Sequence, residues 1–319
     1  MLVQTLHTRR NLGLKTLHYT VREVAPYINW IYYFHAWGME PRFASITDVH
    51  QCPSCRTTWV STFPIEEQDK AREAMLLYDE ATRQLREWAD EPICHALFLL
   101  AEAYSEGDDI IIDNKTRIPL LRQQHESASG YTLCLSDFIR GGGAPYLIGR
   151  ERKEDTSNTI GIFASTVSLP EGYQSSTLSL QHSTLADRLA EATAEKMHEE
   201  VRKHYWGYAR EEHLTMSELH DEKFQGIRPA VGYPSLPDQS INFIIDHLLH
   251  LSDIGITLSE NGAMSPHCSV TGLMIAHPQA RYFSVGNIGE DQLTDYAHRR
   301  KMSKEKLRKF LSNLQTLFF

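Results

Sequence analysis

The sequence predicts an α+β protein with a mixed or mainly antiparallel sheet and helices packed around it. Three observations carry this. Apolar runs of strand length are joined by a short turn-prone connection, as in HALFLLAEAY, EGDD and IIID. A separate long stretch, Pro64 to Asp90, has helical periodicity. Strands and helices are then mixed without the regular βαβ alternation of a parallel sheet.

Taken in order, Ala71, Met75, Tyr78, Ala81 and Leu85 recur at helical spacing with charges between them. This predicts an amphipathic helix of about six or seven turns. HALFLLAEAY and IIID read as two buried strands, and YTLCLSDFI and NTIGIFASTV as two further strands. Between the latter pair, GGGAPYLIGRERKEDTS is glycine-rich and charged and reads as a long mobile loop. Thr184 stands three residues before Asp187, a pattern like a capping box, and predicts a helix start there with an end near Lys203. A second helix is expected from Ser240 to Leu251. CSVTGLMIAHP and ARYFSVGNI read as an antiparallel hairpin turning at His277–Ala280. Two short helices follow, in EDQLTDYAHRR and, capped by Ser303, in SKEKLRKFLSNL.

Composition bounds the function. The chain has 319 residues, 41% hydrophobic and 23% charged, the profile of an ordinary globular protein. A formal charge of −9 with no Lys/Arg-rich stripe argues against nucleic-acid binding. No apolar run reaches the roughly 20 residues of a membrane span; INFIIDHLLHL is broken by Asp246. Residues 1–18 have no h-region, so no secretory signal is expected. Five scattered cysteines do not form a disulfide framework, and a cytoplasmic, reduced protein is the simplest reading.

Cys52 and Cys55 form CPSC, preceded by His50. A single CxxC is too few ligands for a structural zinc site, which takes four, and no spacing recruits Cys94, Cys134 or Cys268. The pair reads as a reduced loop dithiol, with a metal or redox role as the alternative. HEEVRKH, from His198 to His204, is not HExxH, because its second histidine comes six residues on and leaves the helix face. Gly141–Gly143 lacks the spacing and context of a nucleotide cradle and reads as loop.

The most informative segment is Gly226 to Ser240, GIRPAVGYPSLPDQS. Pro229, Pro234 and Pro237 rule out an uninterrupted helix, while Gly226 and Gly232 allow tight turns. A segment this rigid orders little on binding, and it holds one guanidinium, Arg228, and one ring, Tyr233. An arginine fork suits a carboxylate, and a tyrosine face suits a cation or a flat base. The bland alternative is a proline-rich surface loop. On a helix, Glu191, Glu195 and His198 would share a face. Taken alone, Glu191 and Glu222 read as solvated charges, and Tyr282 and Phe283 as sheet-core aromatics.

IRPAVGYPSLPDQS, LSENGAMSPHCSVTGL, AHPQARYFSVG and DQLTDYAHRRKMS together resemble the activation domain of cobalamin-dependent methionine synthase. The resemblance continues upstream through ADRLAEATAEKMHEEVRKHYWGYA and FQGIRPA to PYINWIYYFHAW, and covers roughly Thr20 to Met302. It divides the chain into an N-terminal extension (1–19), the domain (20–302) and a C-terminal helix (303–319).

This resemblance implies a fold and a ligand, S-adenosylmethionine. It implies that Arg228 pairs with the ligand carboxylate, and that Tyr233 meets the sulfonium or the amino-acid part. Glu191 and Glu222 match acidic positions suited to an ammonium or a ribose hydroxyl. Tyr282 and Phe283 fall where the family has a Tyr-Tyr pair, so one hydroxyl is absent; strand alternation favours Tyr282 as the contact. Asn29 stands where the family has an aspartate, which keeps a carbonyl acceptor but loses the charge. DVHQCP, from Asp48, begins like the DxHxxG cobalamin signature, but Pro53 holds the glycine position. The expected role is a stand-alone reactivation module of a split methionine synthase, a component and not a complete enzyme. Its cobalamin would be carried by a partner chain and its electron supplied by a flavodoxin-type donor. A shallow groove, open on one side, is expected around Arg228, Tyr233 and Tyr282. Two alternatives are a corrinoid-protein partner that has lost S-adenosylmethionine binding, and a CxxC redox or metal-binding protein.

Overall fold

The computed structural model describes residues 13–124, 130, 132–139, 159–170 and 180–311. Gly13–Tyr19 (β1) leads through Val21–Val24 (α1), Trp30–Ala36 (α2), Pro53–Ser61 (α3) and Gln68–Glu87 (α4). The sheet is then laid down around the long strand Cys94–Glu106 (β2), followed by Asp109–Ile112 (β3), Thr116–Pro119 (β4) and Thr159–Val167 (β5). Leu180–Glu200 (α5), Met216–His220 (α6) and Ile241–Leu249 (α7) come next. Two short strands, Thr257–Leu258 (β6) and Met264–Ser265 (β7), pair with each other. The chain closes with Ser269–Met274 (β8), Glu290–Arg300 (α8) and Lys304–Phe310 (α9).

The main sheet runs β4-β3-β2-β5-β8, with β1 also paired to β2, and each pairing is antiparallel. Side-chain alternation along β2 explains its layering. Ala96, Phe98 and Leu100 enter one core with α4 and α5, while Leu97, Ala101 and Ala103 enter another with α7. Both faces are therefore covered, and the strands read as continuous apolar runs instead of half-polar ones. Burying each such Leu or Phe stabilises by about 1.5–3 kcal/mol relative to exposure. A third, smaller cluster joins α8 and α9 through Leu293, Tyr296 and Leu307. Gly13–Tyr19, placed outside the domain by sequence, is built into the sheet against β2.

The α+β class, the helix within 64–90 and the strands of HALFLLAEAY, IIID and NTIGIFASTV are all found. So are the helices after Ser240, in EDQLTDYAHRR and after Ser303, whose hydroxyl accepts from the Lys306 N–H. The segment YTLCLSDFI is not a strand where it is described. Its apolar residues are buried, but the Asp137 carboxylate accepts from the Cys134 N–H at 2.8 Å and the chain turns into a 3-10 helix at Leu135–Phe138. Thr184 does not start a helix, for α5 is already helical at Leu180 and buries Leu185 and Leu189. Tertiary burial here overrides the local capping pattern. The second strand of the proposed 277–280 hairpin is also absent. A turn closes at Ala280 N–H to His277 O, 3.0 Å, but the β8 edge is already taken by Ile227–Val231, so 281–285 has no strand to join there.

The CPSC pair is neither a loop nor reduced. Cys52 is the N-cap of α3 and is joined to Cys55 by a disulfide, the three-residue step placing their Cα atoms 5.4 Å apart. Cys94, Cys134 and Cys268 are free and buried. The loop expected at 141–157 lies outside the described residues. Among the described residues, no helix is long and apolar enough to cross a membrane.

Candidate functional site

The strap Ile227–Val231 is held along β8 as an extra edge. Ile227 and Ile275 exchange two backbone bonds of 2.9 Å, the Leu273 N–H donates to Pro229 O at 3.0 Å, and the Val231 N–H donates to Thr271 O at 2.9 Å. Pro229 is tolerated because an edge position needs no donor from it. The close approach requires glycine at 272: a Cβ there would collide with the Pro229 carbonyl oxygen and come within 2.7 Å of the Phe163 ring. Gly226, at φ +86°, would likewise place a Cβ against the Ile275 carbonyl. After the strap, Gly232 takes φ +90° and its N–H donates to Leu236 O at 2.8 Å, turning Tyr233 outward. The segment 282–285 is tied to this turn by Phe283 N–H to Ser235 Oγ, 3.1 Å, and Val285 N–H to Pro234 O, 2.9 Å.

Strap, turn and α5 enclose a groove of about 590 Å³. Its wall on α5 is Arg188, Glu191, Ala192 and Glu195, residues three or four apart on one helical face. Arg228, Tyr233, Tyr282, Phe283, Asn29 and Glu222 line the same groove. All seven residues singled out from sequence therefore line one groove. Its mouth is open, since Tyr32, Tyr233 and Tyr282 are 57%, 52% and 38% exposed.

Arg228 is a largely buried cation of the site, its side chain 11% exposed. Its Nη2 donates to Glu195 Oε2 at 2.9 Å, and its guanidinium lies 5.5 Å from the Phe163 ring centroid. Burial pulls its pKa down, but Glu195, Tyr282 and Glu191 more than offset this, so the guanidinium stays charged. Its backbone N–H donates to the Tyr282 hydroxyl at 2.9 Å. Burial pushes the Tyr282 hydroxyl pKa up to about 12, against the pull of Arg228, so it is neutral. The Tyr233 hydroxyl donates to Glu191 Oε1 at 2.9 Å, and that carboxylate's charge raises the phenol's pKa. Glu222 adopts φ +56°; partial burial and the nearby Glu195 charge raise its pKa, and Arg228 opposes them.

Behind this front rank stands Arg202, fully buried. It donates to both carboxylate oxygens of Glu212, lies 4.2 Å from the Phe224 ring centroid and approaches Glu195 at 4.0 Å. Its Nη1 donates to His198 Nδ1 at 2.9 Å, because arginine carries no acceptor. His198 is therefore neutral, and burial with the charges of Arg202 and Arg228 lowers its pKa well below 6.5. Of the three residues expected to share a face, Glu191 and Glu195 reach the groove while His198 is buried behind it. The backbone switches to a π-helical turn at Val201–Tyr205, beside this cluster.

Asn29 caps α2, its Oδ1 accepting from the Ile31 N–H at 3.1 Å. The cap fixes the amide orientation, since only the oxygen can accept. One lone pair of the acceptor expected to serve a ligand is thus engaged, which leaves its second lone pair and the Nδ2 donor. Arg188 was missed from sequence, although it lies one turn before Glu191 on the same face. It lines the groove, and its Nε is buried with no hydrogen-bond partner; Arg228 Nε and Glu195 Oε1 are likewise unpartnered. The groove thus offers two guanidinium groups, three carboxylates and an aromatic rim, a pattern suited to a zwitterion joined to a flat ring.

A sequence model of the family described as vitamin B12 dependent methionine synthase, activation domain, matches residues 20–301. The chain is also similar to the MetH reactivation domain, whose crystal structure was solved bound to AdoHcy. The two share 31% identity at a TM-score of 0.76, over 96% of this chain and 91% of that one. Sequence and fold agree, and the chain belongs to the activation-domain family of vitamin B12-dependent methionine synthase.

Proposed function

We propose that this groove binds S-adenosylmethionine and presents its methyl group to a corrinoid carried by a partner chain. The protein would then act as the stand-alone reactivation module of a split methionine synthase. One observation carries the reading: Arg228, half-buried and ion-paired to Glu195, shares an open groove with Glu191, Tyr233 and Tyr282. The similar MetH domain is bound to AdoHcy, the demethylated form of the same ligand.

The donor set fits. Arg228 and Arg188 supply forks for a carboxylate, and the unpartnered Nε atoms of both leave hydrogen-bonding capacity in hand. Glu191 and Glu222 suit an ammonium and a ribose diol. Tyr233, Tyr282 and Phe283 offer ring faces and backbone edges for a sulfonium or adenine. The chain's own task is to bind and orient, because displacing a sulfonium methyl moves no proton and needs no general acid or base. The exposed tyrosines leave the approach open to a bulky corrinoid. The electron for the cobalt would come from a flavodoxin-type donor.

Calorimetry of the purified chain with S-adenosylmethionine and S-adenosylhomocysteine tests this. Saturable heat with one site is expected, lost in Arg228→Ala. No heat with either ligand would favour the rival reading, a corrinoid-protein partner without a methyl donor, which Asn29 in place of aspartate raises.

A further inference from the structure

We infer that Cys52 and Cys55 form a reversible dithiol/disulfide centre at the N-terminus of α3, competent for thiol–disulfide exchange with an external dithiol or disulfide. The inference is independent of the methyl-donor groove. The pair is bonded in the structure, although the other three cysteines are free and buried. Cys52 and Cys55 are half-buried, and Gln51, Pro53 and Ser54 around them are exposed, so a reagent can reach the sulfurs.

Local geometry assigns the roles. Cys52 is the N-cap of a nine-residue helix, and its sulfur accepts from the Cys55 N–H at 3.2 Å. Ser54 Oγ lies 3.3 Å from the same sulfur. Helix N-terminal N–H groups stabilise negative charge, which favours the Cys52 thiolate over that of Cys55. In the reduced chain, the Cys52 thiolate attacks a partner disulfide. A mixed disulfide forms and one partner thiolate leaves. The Cys55 thiolate then attacks the Cys52 sulfur, closing the ring and expelling the second partner sulfur. Two electrons pass from protein to partner, and the two protons released by the cysteines go to the two partner thiolates.

A metal is the competing occupant. His50, Cys52 and Cys55 place one ligand atom each within 4.8 Å of one another. Among the described residues no fourth ligand joins this group, and a structural zinc site takes four. The bonded sulfurs favour redox chemistry.

The full chain is equilibrated in buffers of varied reduced-to-oxidised dithiothreitol ratio, quenched with acid, alkylated and weighed by mass spectrometry. Two alkylations should appear and disappear together in a single two-electron transition, absent in Cys52→Ser and in Cys55→Ser. In a second arm, oxidised glutathione should form a mixed disulfide with Cys55→Ser roughly tenfold faster than with Cys52→Ser. The inference fails if the pair stays reduced, or stays oxidised, in every buffer. It fails equally if the purified chain carries one zinc ion that keeps both thiols unreactive. Equal glutathione rates in the two variants would overturn the assignment of Cys52 as nucleophile.

Discussion

Arg228 was singled out by the rigid segment that three prolines and two glycines build around it, and it was the family resemblance, not that composition, that set it apart from a proline-rich surface loop. What the sequence did not reveal is that Glu195 holds it and Arg202 stands behind, since those contacts join residues distant along the chain. On the proposed reading, replacing Arg228 by alanine removes the partner of the ligand's carboxylate, and it leaves the half-buried Glu195 without its 2.9 Å ion pair. We expect S-adenosylmethionine affinity to fall about a hundredfold or more by calorimetry, in the range of about 2–5 kcal/mol for truncating a buried charged partner. Asn29→Asp should act in the opposite direction. Aspartate caps a helix as well as asparagine does. Its second oxygen would replace the Nδ2 donor with a charged acceptor, worth about 1 kcal/mol over a neutral one, or roughly fivefold in Kd. An unchanged Kd would show that Glu191 and Glu222 already saturate the ligand's cationic groups.

Among the elements, those set by local periodicity were read correctly and those set by competition were not. The α4 stripe and the apolar run of β2 announce themselves. The failed hairpin does not, because whether 281–285 pairs with β8 depends on the strap having taken that edge first. Thr184 misled for a similar reason: a capping pattern is weak beside a buried face. The strap's seat on Gly272 yields a direct test. Gly272→Ala would press a methyl group against Pro229 O and Phe163, an overpacking that costs about 1–3 kcal/mol. It should lower Tm by several degrees and weaken ligand binding together. Gly161→Ala, whose Cβ meets Met274 at 2.7 Å, should lower Tm while leaving Kd unchanged. If Gly272→Ala lost stability alone, the strap would not be what shapes the groove.

At the scale of the whole molecule, the α+β class was legible, and the continuous apolar runs of β2 and β3 already pointed to strands buried on both faces; which helices cover each face follows from tertiary packing that no local pattern states. That burial has a consequence for pH. His198 is held neutral by burial and two arginines, and burial also lowers the pKa of His95 and His277. As pH falls through about 6.5, the unfolded chain binds protons on these rings and the folded chain does not, so acid favours unfolding. Tm should decline between pH 7.5 and 5, and His198→Gln should flatten that decline. Glu222 runs the other way, but its raised pKa starts from 4.5 and acts mainly at the acid end of that window.

The central proposal is that this chain delivers a methyl group to a corrinoid it does not itself carry. The most direct measurement mixes it with a separate Co(II) corrinoid domain, a low-potential reductant and S-adenosylmethionine, and follows the visible spectrum. Growth of the methyl-cobalt bands that requires this chain, and is lost in Arg228→Ala, is the predicted result. Bands that grow equally without the chain, or that never appear while the ligand binds, would contradict it.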